Sequence, residues 1–277
     1  MKIEPYSGAL GAVISDLTLG ANMAEDDLAA LRQALLDFEV LFFRDQPMSP
    51  EDHAGLAAMF GQPQLHEAYP HVEGYPQLTI LENDKDNPSL IEMWHTDMTF
   101  RPCPPLGSIL HATIVPERGG DTLFASMSAA YDALSAPMRA LVEQLTAVHD
   151  FSFGFKESLA APGGQERLAD MVAANPPVVH PLVRTHPESG RRGLFVNSLF
   201  TVAINEMTAK ESRTLLDFLF EHIRTPEFTC RFRWQKHSVA FWDNRITQHK
   251  PVNDYWPQHR RMQRITVDDG ETPFFRA

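Results

Sequence analysis

Two kinds of metal-binding side chain stand two positions apart in the segment Trp94-His95-Thr96-Asp97. In an extended strand, residues i and i+2 lie on the same face, so we expect His95 and Asp97 to converge on one point. A neutral imidazole and a carboxylate are two of the three ligands in the facial triad of non-haem Fe(II) oxygenases. A surface ion pair is the plainer interpretation, and this short pattern alone does not separate the two.

A third ligand is offered by His249, at the end of the run Phe241-Trp-Asp-Asn-Arg-Ile-Thr-Gln-His249. An apolar strand here leads into a polar turn and then into a histidine. A ligand from a distant strand is what the mouth of a β-barrel would supply. Taken by itself, His249 also fits a hydrogen-bonded loop histidine.

Two arginines share a predicted strand face in Arg260-Arg261-Met262-Gln263-Arg264. Arg260 and Arg264 lie on one face, about 13 Å apart at roughly 3.3 Å per residue, and Arg261 points the other way. Met262 shares their face, which argues against a solvated edge strand, the alternative interpretation. Buried guanidiniums need anions, and arginine suits bidentate recognition of carboxylates and sulfonates.

The elements that must position these side chains are mostly strands. Alternation of apolar and polar residues predicts a half-buried strand over 228–234, and further strands are predicted over 238–242 and 260–267. Together with 21 Pro and 15 Gly, these short strands favour a β-sandwich or barrel. The predicted decorating elements are a helix over 28–38, a strand over 40–43, a helix from Ser49-Pro50 to Gly61, helices over 129–145 and from Thr208 to about 223, and a mobile lid over 156–174.

Composition excludes several classes of protein. The 277 residues carry a formal net charge of −12, which disfavours nucleic acid and anionic membranes as partners. Cys103 and Cys230 are too few for a disulfide scaffold or a cysteine-rich zinc site. No apolar stretch reaches the roughly 18 residues of a membrane span, and the first residues lack a secretion signal pattern. We therefore expect one domain over 1–277, located in the cytoplasm.

Five segments, in order, resemble the taurine dioxygenase family, and the resemblance runs from about residue 5 to Phe275. They are WHTDMTF, GGDTLFASM, HPLVRTHPESGRRGLFVN, FWDNRITQH and DYWPQHRRMQR. The resemblance implies a double-stranded β-helix (jelly roll) of the clavaminate synthase-like type, mostly β with decorating helices. It also implies an Fe(II)- and 2-oxoglutarate-dependent dioxygenase that uses O2, acts on a small anionic organic substrate and forms a dimer or tetramer.

The same resemblance implies roles for individual residues. His95, Asp97 and His249 would hold the iron, and no catalytic side chain beyond this metal centre is implied. Thr122 and Arg260 would bind the far carboxylate of 2-oxoglutarate. The residues implied to bind the substrate are His66, Tyr69, Ile91, Phe155, Phe200 and Arg264, with Arg264 gripping its anionic group.

Two positions depart from the pattern of taurine enzymes. Ile91 stands where those enzymes carry an asparagine that contacts the amine, and leaving an ammonium without that partner costs about 1–3 kcal/mol. Gly154 replaces a polar residue in the same wall. We therefore predict an anionic substrate whose organic part is more apolar than taurine, with Glu92 as an alternative partner for an amine.

Three functions follow from the sequence. The first is hydroxylation next to the sulfonate of taurine or a related small sulfonate, which releases sulfite and an aldehyde. The second is a sister oxygenase acting on an alkyl sulfate, an aryloxyalkanoate or another carboxylate. The third is a non-catalytic metal-binding or sensor protein. This function is disfavoured because the sequence contains all three metal ligands together with Thr122 and Arg260.

Overall fold

The computed structural model describes residues 1–66, 69–89 and 91–276. Within these ranges the strands, in chain order, are β1 Lys2–Pro5, β2 Ala12–Ser15, β3 Val40–Phe43, β4 Gln62–Gln64, β5 His71–Val72, β6 Tyr75–Asn83, β7 Gly107–Ile114, β8 Thr122–Ser126, β9 Thr146–His149, β10 Val178–Pro181, β11 Val183–Thr185, β12 Arg192–Leu194, β13 Thr201–Ile204, β14 Thr229–Phe232, β15 Val239–Asp243, β16 Thr247–Pro251 and β17 Arg260–Asp268. The helices are α1 Glu25–Phe38, α2 Pro50–Phe60, α3 Met127–Asp132, α4 Ala136–Val142, α5 Phe151–Gly154, α6 Lys156–Ala160, α7 Gly164–Ala174 and α8 Ala209–Ile223, with a 3-10 turn at Pro226–Phe228.

Two sheets facing each other form the jelly roll. The larger sheet has the order β1-β2-β3-β15-β7-β17-β6-β5, with β4 also paired to β17, and the smaller has the order β14-β8-β16. Side chains from both sheets pack between them: the Phe42 ring of β3 lies 4.1 Å from Phe232 of β14 and 5.6 Å from Phe124 of β8, centroid to centroid. The predicted fold class is confirmed.

Helices α1 and α2 cover the outer face of the larger sheet. Leu31 and Leu35 of α1 and Leu56 of α2 are buried in one cluster with Ile109 and Ile265 of the sheet. Helix α2 begins where predicted, with a capping box: the Ser49 hydroxyl accepts a hydrogen bond from the Asp52 N–H, and the Asp52 carboxylate accepts one from Ser49. The central strands of the larger sheet are therefore buried on both faces, by these helices on one side and by the smaller sheet on the other.

The helical region predicted over 129–145 consists of two helices with a short break between them. The structure divides it into α3 and α4, because Ser135 caps a new helix by accepting a hydrogen bond from the Met138 N–H, and Pro137 stands in the first turn. On α4, Val142 is buried and Leu141 is 41% exposed. Val142 of α4 is buried in one cluster with Trp94, the residue that precedes His95.

The segment predicted as a lid, 156–174, forms helices α6 and α7. Leu168 and Met171 of α7 are buried against an aromatic cluster that includes Phe151 and Phe200. The segment is therefore anchored by apolar contacts, which the polar composition did not indicate. Among the residues described, none of the helices has the length and apolarity needed to cross a membrane.

Candidate metal centre

His95 and His249 are joined through their backbones. The His95 N–H donates to the His249 carbonyl at 3.0 Å, and the His249 N–H donates to the His95 carbonyl at 2.8 Å. This single bridge, made to strand β16, sets the two rings side by side with centroids 4.2 Å apart. The two histidines predicted from distant segments are thus brought together by one reciprocal pair of hydrogen bonds.

The strand geometry expected for His95 and Asp97 is wrong, although the two side chains do converge. Asp97 begins a turn instead of continuing a strand. Asn244 holds it there: the Asp97 N–H donates to Asn244 Oδ1 at 2.8 Å, and Asn244 Nδ2 donates to the Asp97 carbonyl at 3.0 Å. Asn244 follows β15, so the turn that leads into the His249 strand also positions the carboxylate.

That turn is itself fixed by buried charges. Arg245 is 3% exposed and donates from Nε and Nη2 to the two carboxylate oxygens of Asp243, at 2.9 and 2.6 Å. His186 contacts the same carboxylate at 3.0 Å, and Arg245 also pairs with Glu188 and Asp269. Burial alone would raise the pKa of Asp243, but Arg245 and His186 outweigh it and hold that pKa below its usual range.

The three predicted ligands form one buried cluster. His95 Nε2 lies 3.6 Å and His249 Nε2 lies 3.9 Å from Asp97 Oδ1, and the ligand atoms of the three residues all lie within 4.8 Å of one another. In the described part of the chain this is the only group of three or more such side chains so arranged. Two imidazoles and one carboxylate are the donor set of non-haem Fe(II) sites, so the residues present fit that metal.

Protonation states in this cluster also suit a metal. Burial lowers the pKa of His249 to about 3, which keeps its imidazole neutral. Burial would raise the pKa of Asp97, but the Arg264 guanidinium and then the two histidines hold that pKa well below its usual range. Neutral imidazoles and an ionised carboxylate are the forms that bind metal ions.

Two further side chains contact the Asp97 carboxylate. Ser108 of β7 donates from its hydroxyl to Oδ2 at 3.0 Å. Arg264 of β17 donates from Nη1 to Oδ1 and Oδ2 at 3.2 and 3.3 Å. Sequence reasoning missed Ser108 and Asn244, since only the register of distant strands brings them here.

Arg260 lies on the same interior face of β17, as its spacing predicts. It is 7% exposed and donates from Nε to the Gly120 carbonyl at 3.2 Å, with its guanidinium 5.9 Å from the Tyr255 ring centroid. It makes no ion pair with a carboxylate of residues 1–66, 69–89 or 91–276. A buried guanidinium without an ion-pair partner among these residues is suited to an anionic ligand.

The loop beside Arg260 depends on glycine. Gly120 has φ +71°, and a Cβ there would lie 3.2 Å from Arg260 Cδ. The Gly120 N–H donates to Asp254 Oδ1 at 2.8 Å, which fixes the turn into β8. Two residues later, Thr122 Oγ1 accepts a hydrogen bond from Trp234 Nε1 at 2.9 Å, so its own hydroxyl proton remains to be donated.

His66 and Tyr69 lie together near Arg264. Their ring centroids are 4.7 Å apart in an edge-to-face arrangement. Burial and then the Arg264 charge lower the pKa of His66 to about 3, while the Asp97 charge opposes them, so both charged groups are close to this imidazole. The two predicted substrate contacts therefore border the Arg264 end of the metal cluster.

Phe155 and Phe200 belong to one aromatic cluster with Phe100 and Phe151. The Phe100 ring lies 5.0 Å from the centroids of Phe151 and Phe200, and Phe155 stacks on Phe151 at 4.4 Å. Phe100 follows Asp97 by three residues, so this cluster adjoins the metal ligands. At Gly154 a Cβ would lie 2.3 Å from Phe200 Cε1. The Phe200 ring therefore fills the space that a side chain at position 154 would occupy, which explains the glycine at this position.

Ile91 is half-buried and is held through its backbone. Asn253 Nδ2 donates to the Ile91 carbonyl at 2.9 Å and lies 3.4 Å from Glu92 Oε1. Glu92 itself is exposed. The segment that leads to His95 is in this way attached to the loop that follows the His249 strand.

A family model described as taurine catabolism dioxygenase TauD, TfdA family, matches residues 2–266. An alpha-ketoglutarate-dependent sulfate ester dioxygenase of Pseudomonas putida is 34% identical over 277 residues, covering 99% of this chain and 91% of that protein. The structure of a taurine dioxygenase from Burkholderia xenovorans is similar with a TM-score of 0.83 at 36% identity, over 98% of this chain and 92% of that one. The structure of AAD-2 in complex with Mn(II) and N-oxalylglycine is similar with a TM-score of 0.86 at 30% identity, over the whole of both chains.

Proposed function

The chain belongs to the TauD, TfdA family of dioxygenases, and from that membership we propose that it hydroxylates the carbon next to the sulfo group of a small sulfonate or sulfate ester. It is an enzyme, a 2-oxoglutarate-dependent dioxygenase. We assign the iron ligands to His95, Asp97 and His249. Iron, when bound there, supplies the activation of O2 that couples oxidative decarboxylation of 2-oxoglutarate to hydroxylation of a C–H bond.

Arg260 and Thr122 are proposed to hold the far carboxylate of 2-oxoglutarate. The Arg260 guanidinium supplies a positive charge to pair with this carboxylate, and the Thr122 hydroxyl donates a hydrogen bond to it. Because Trp234 fixes Thr122 and Gly120 fixes Arg260, both donors are placed before the ligand arrives. Such preorganisation orients the co-substrate at little entropic cost.

The observation that carries the choice of substrate is the burial of Arg264 beside Asp97. Arg264 is 7% exposed, and its Nε has no hydrogen-bond partner in the described residues. A guanidinium presents several N–H donors in a rigid fork that suits a sulfo group. Held there, the group places its neighbouring carbon toward the metal ligands. Hydroxylation of that carbon in a sulfonate gives R–CH(OH)–SO3⁻, whose C–S bond breaks to yield an aldehyde and hydrogen sulfite. In a sulfate ester the hydroxylated carbon is the one bonded to the ester oxygen, and R–CH(OH)–OSO3⁻ breaks that C–O bond to yield an aldehyde and hydrogen sulfate. In both cases the proton of the new hydroxyl leaves with the sulfur group.

The rest of the proposed pocket favours an apolar organic part. The aromatic cluster around Phe100 and Phe200 offers ring surface, and Ile91 supplies no amide for an amine. The Glu92 carboxylate is exposed and already lies near Asn253 Nδ2, so it is poorly placed to compensate a buried ammonium. We infer that amine-free sulfo-anions are better substrates than taurine.

The test is a substrate panel with the Fe(II)-loaded protein, 2-oxoglutarate and O2. We expect 1-butanesulfonate or butyl sulfate to stimulate succinate formation, with one sulfite or sulfate released per succinate. Taurine is expected to have a kcat/KM about 10- to 100-fold lower, since an unsatisfied polar group costs about 1–3 kcal/mol. A higher kcat/KM for taurine than for the amine-free anions would contradict the apolar pocket. Stimulation of succinate formation by phenoxyacetate alone would favour a carboxylate oxygenase. If no anion stimulated succinate formation, the proposed function would be contradicted.

Arg260→Gln is expected to raise the KM for 2-oxoglutarate by about 10- to 100-fold, because a hydrogen bond to a charged group contributes about 1.5–3 kcal/mol. The matched control is Arg261→Gln on the same strand. Arg261 points to the opposite face, 3.7 Å from Glu82, and its replacement should leave that KM unchanged. Equal effects of the two substitutions on the KM would refute the assignment of Arg260.

A further inference from the structure

One oxygen of Asp97 has cationic or metal-binding groups on two sides. Oδ1 faces the Nε2 atoms of His95 and His249 at 3.6 and 3.9 Å, which makes it the oxygen placed to bind a metal with them. Arg264 Nη1 lies 3.2 Å from this same oxygen and 3.3 Å from Oδ2. The other oxygen, Oδ2, is engaged by the Ser108 hydroxyl at 3.0 Å.

Metal and guanidinium therefore act on one carboxylate. A metal ion bound to Oδ1 and the guanidinium donating to Oδ1 are close like charges in a buried place, where the surroundings screen charge poorly. Because Arg264 already compensates part of the negative charge of the Asp97 carboxylate, the attraction between that carboxylate and the metal ion is weaker. An anion that binds Arg264 removes this repulsion by neutralising the guanidinium.

We propose that Arg264 couples the binding of metal to the binding of the substrate anion, so that each strengthens the other. The inference rests on the proposed function, since it takes the anion to bind Arg264 and the metal to bind the three ligands. By linkage, the factor by which the anion strengthens metal binding equals the factor by which the metal strengthens anion binding. Arg264 is then a positioning residue for the metal as well as a contact of the substrate.

The experiment measures Mn(II) affinity without turnover. Metal-stripped full-length protein is titrated with Mn(II), and free Mn(II) is followed by its EPR signal, with and without saturating 1-butanesulfonate. We expect the anion to lower the Kd of Mn(II) for the wild type about tenfold, a common size for coupled sites. Arg264→Gln is expected to bind Mn(II) about tenfold more tightly than the wild type without the anion, and to lose the effect of the anion.

Two further variants separate charge from fold. Arg264→Lys keeps the positive charge and is expected to keep both the weaker metal binding and the response to the anion. Arg261→Gln, on the opposite face of the same strand, should behave as the wild type. Circular dichroism of each variant confirms that it is folded.

Two results would overturn the coupling while leaving the proposed function in place. One is weaker Mn(II) binding by folded Arg264→Gln than by the wild type. The other is a wild-type Kd for Mn(II) that the anion leaves unchanged or raises. A wild type that binds Mn(II) no better than His249→Ala would remove the metal site, and the coupling would fall with the proposed function.

Discussion

His249→Ala is expected to abolish stoichiometric metal binding and to lower 2-oxoglutarate turnover by more than ~100-fold. Mutation of residues that only orient metal ligands already lowers metal affinity or activity by about 10–100-fold, and loss of a ligand itself should have a larger effect. In the proposed site His249 is one of three side-chain ligands, together with His95 and Asp97, and it is buried at 7% exposure. The measurements are the Mn(II) Kd and succinate formation with a sulfo-anion present.

The control for this substitution is His259→Ala. His259 lies ten residues further along, is exposed, and contacts Glu82 at 2.7 Å. Its removal takes away a histidine without touching the cluster, so both readouts should match the wild type. Retention of wild-type metal affinity by His249→Ala would show that these three residues are not the metal site.

Asp243→Ala is expected to destabilise the fold by about 3–5 kcal/mol, the usual cost of removing one partner from a buried ion pair. The substitution leaves Arg245, 3% exposed, without the carboxylate that accepts from its Nε and Nη2. His186 loses its partner too. Chemical denaturation followed by circular dichroism gives the free energy of unfolding for the wild type and the variant.

A surface pair provides the comparison. Arg213 and Asp217 lie four residues apart on α8, and both side chains are exposed. Arg213→Ala should therefore change stability by no more than about 0.5 kcal/mol. If Asp243→Ala unfolded at the same denaturant concentration as Arg213→Ala, the buried ion cluster would not be what stabilises the turn before His249.

Local patterns in the sequence were enough to predict several elements that position the site. Alternation along β17 placed Arg260, Met262 and Arg264 on one buried face, and all three are at most 7% exposed. The helix start predicted at Thr208 is confirmed, because the Thr208 hydroxyl accepts a hydrogen bond from the Glu211 N–H at the start of α8. These predictions succeeded because strand alternation and helix caps depend on residues only a few positions apart.

The predictions that failed depended on contacts across the chain. The expected strand geometry at His95 and Asp97 gave the right convergence for the wrong reason, since the position of Asp97 is set by Asn244. The approach of Arg264 to Asp97 likewise follows from strand pairing in the folded sheet. The break at Ser135 is different, because its cap and the nearby proline were readable from the sequence.

The contact between Gly154 and Phe200 has a consequence for how this pocket can evolve. A Cβ at position 154 and the present ring at position 200 would occupy the same volume, with 2.3 Å between the two carbons. A lineage that acquires a polar side chain at 154 must therefore reduce or reorient the residue at 200, and neither change is tolerated well alone. We therefore expect residues 154 and 200 to covary among related proteins, so that a change of substrate involves both positions together.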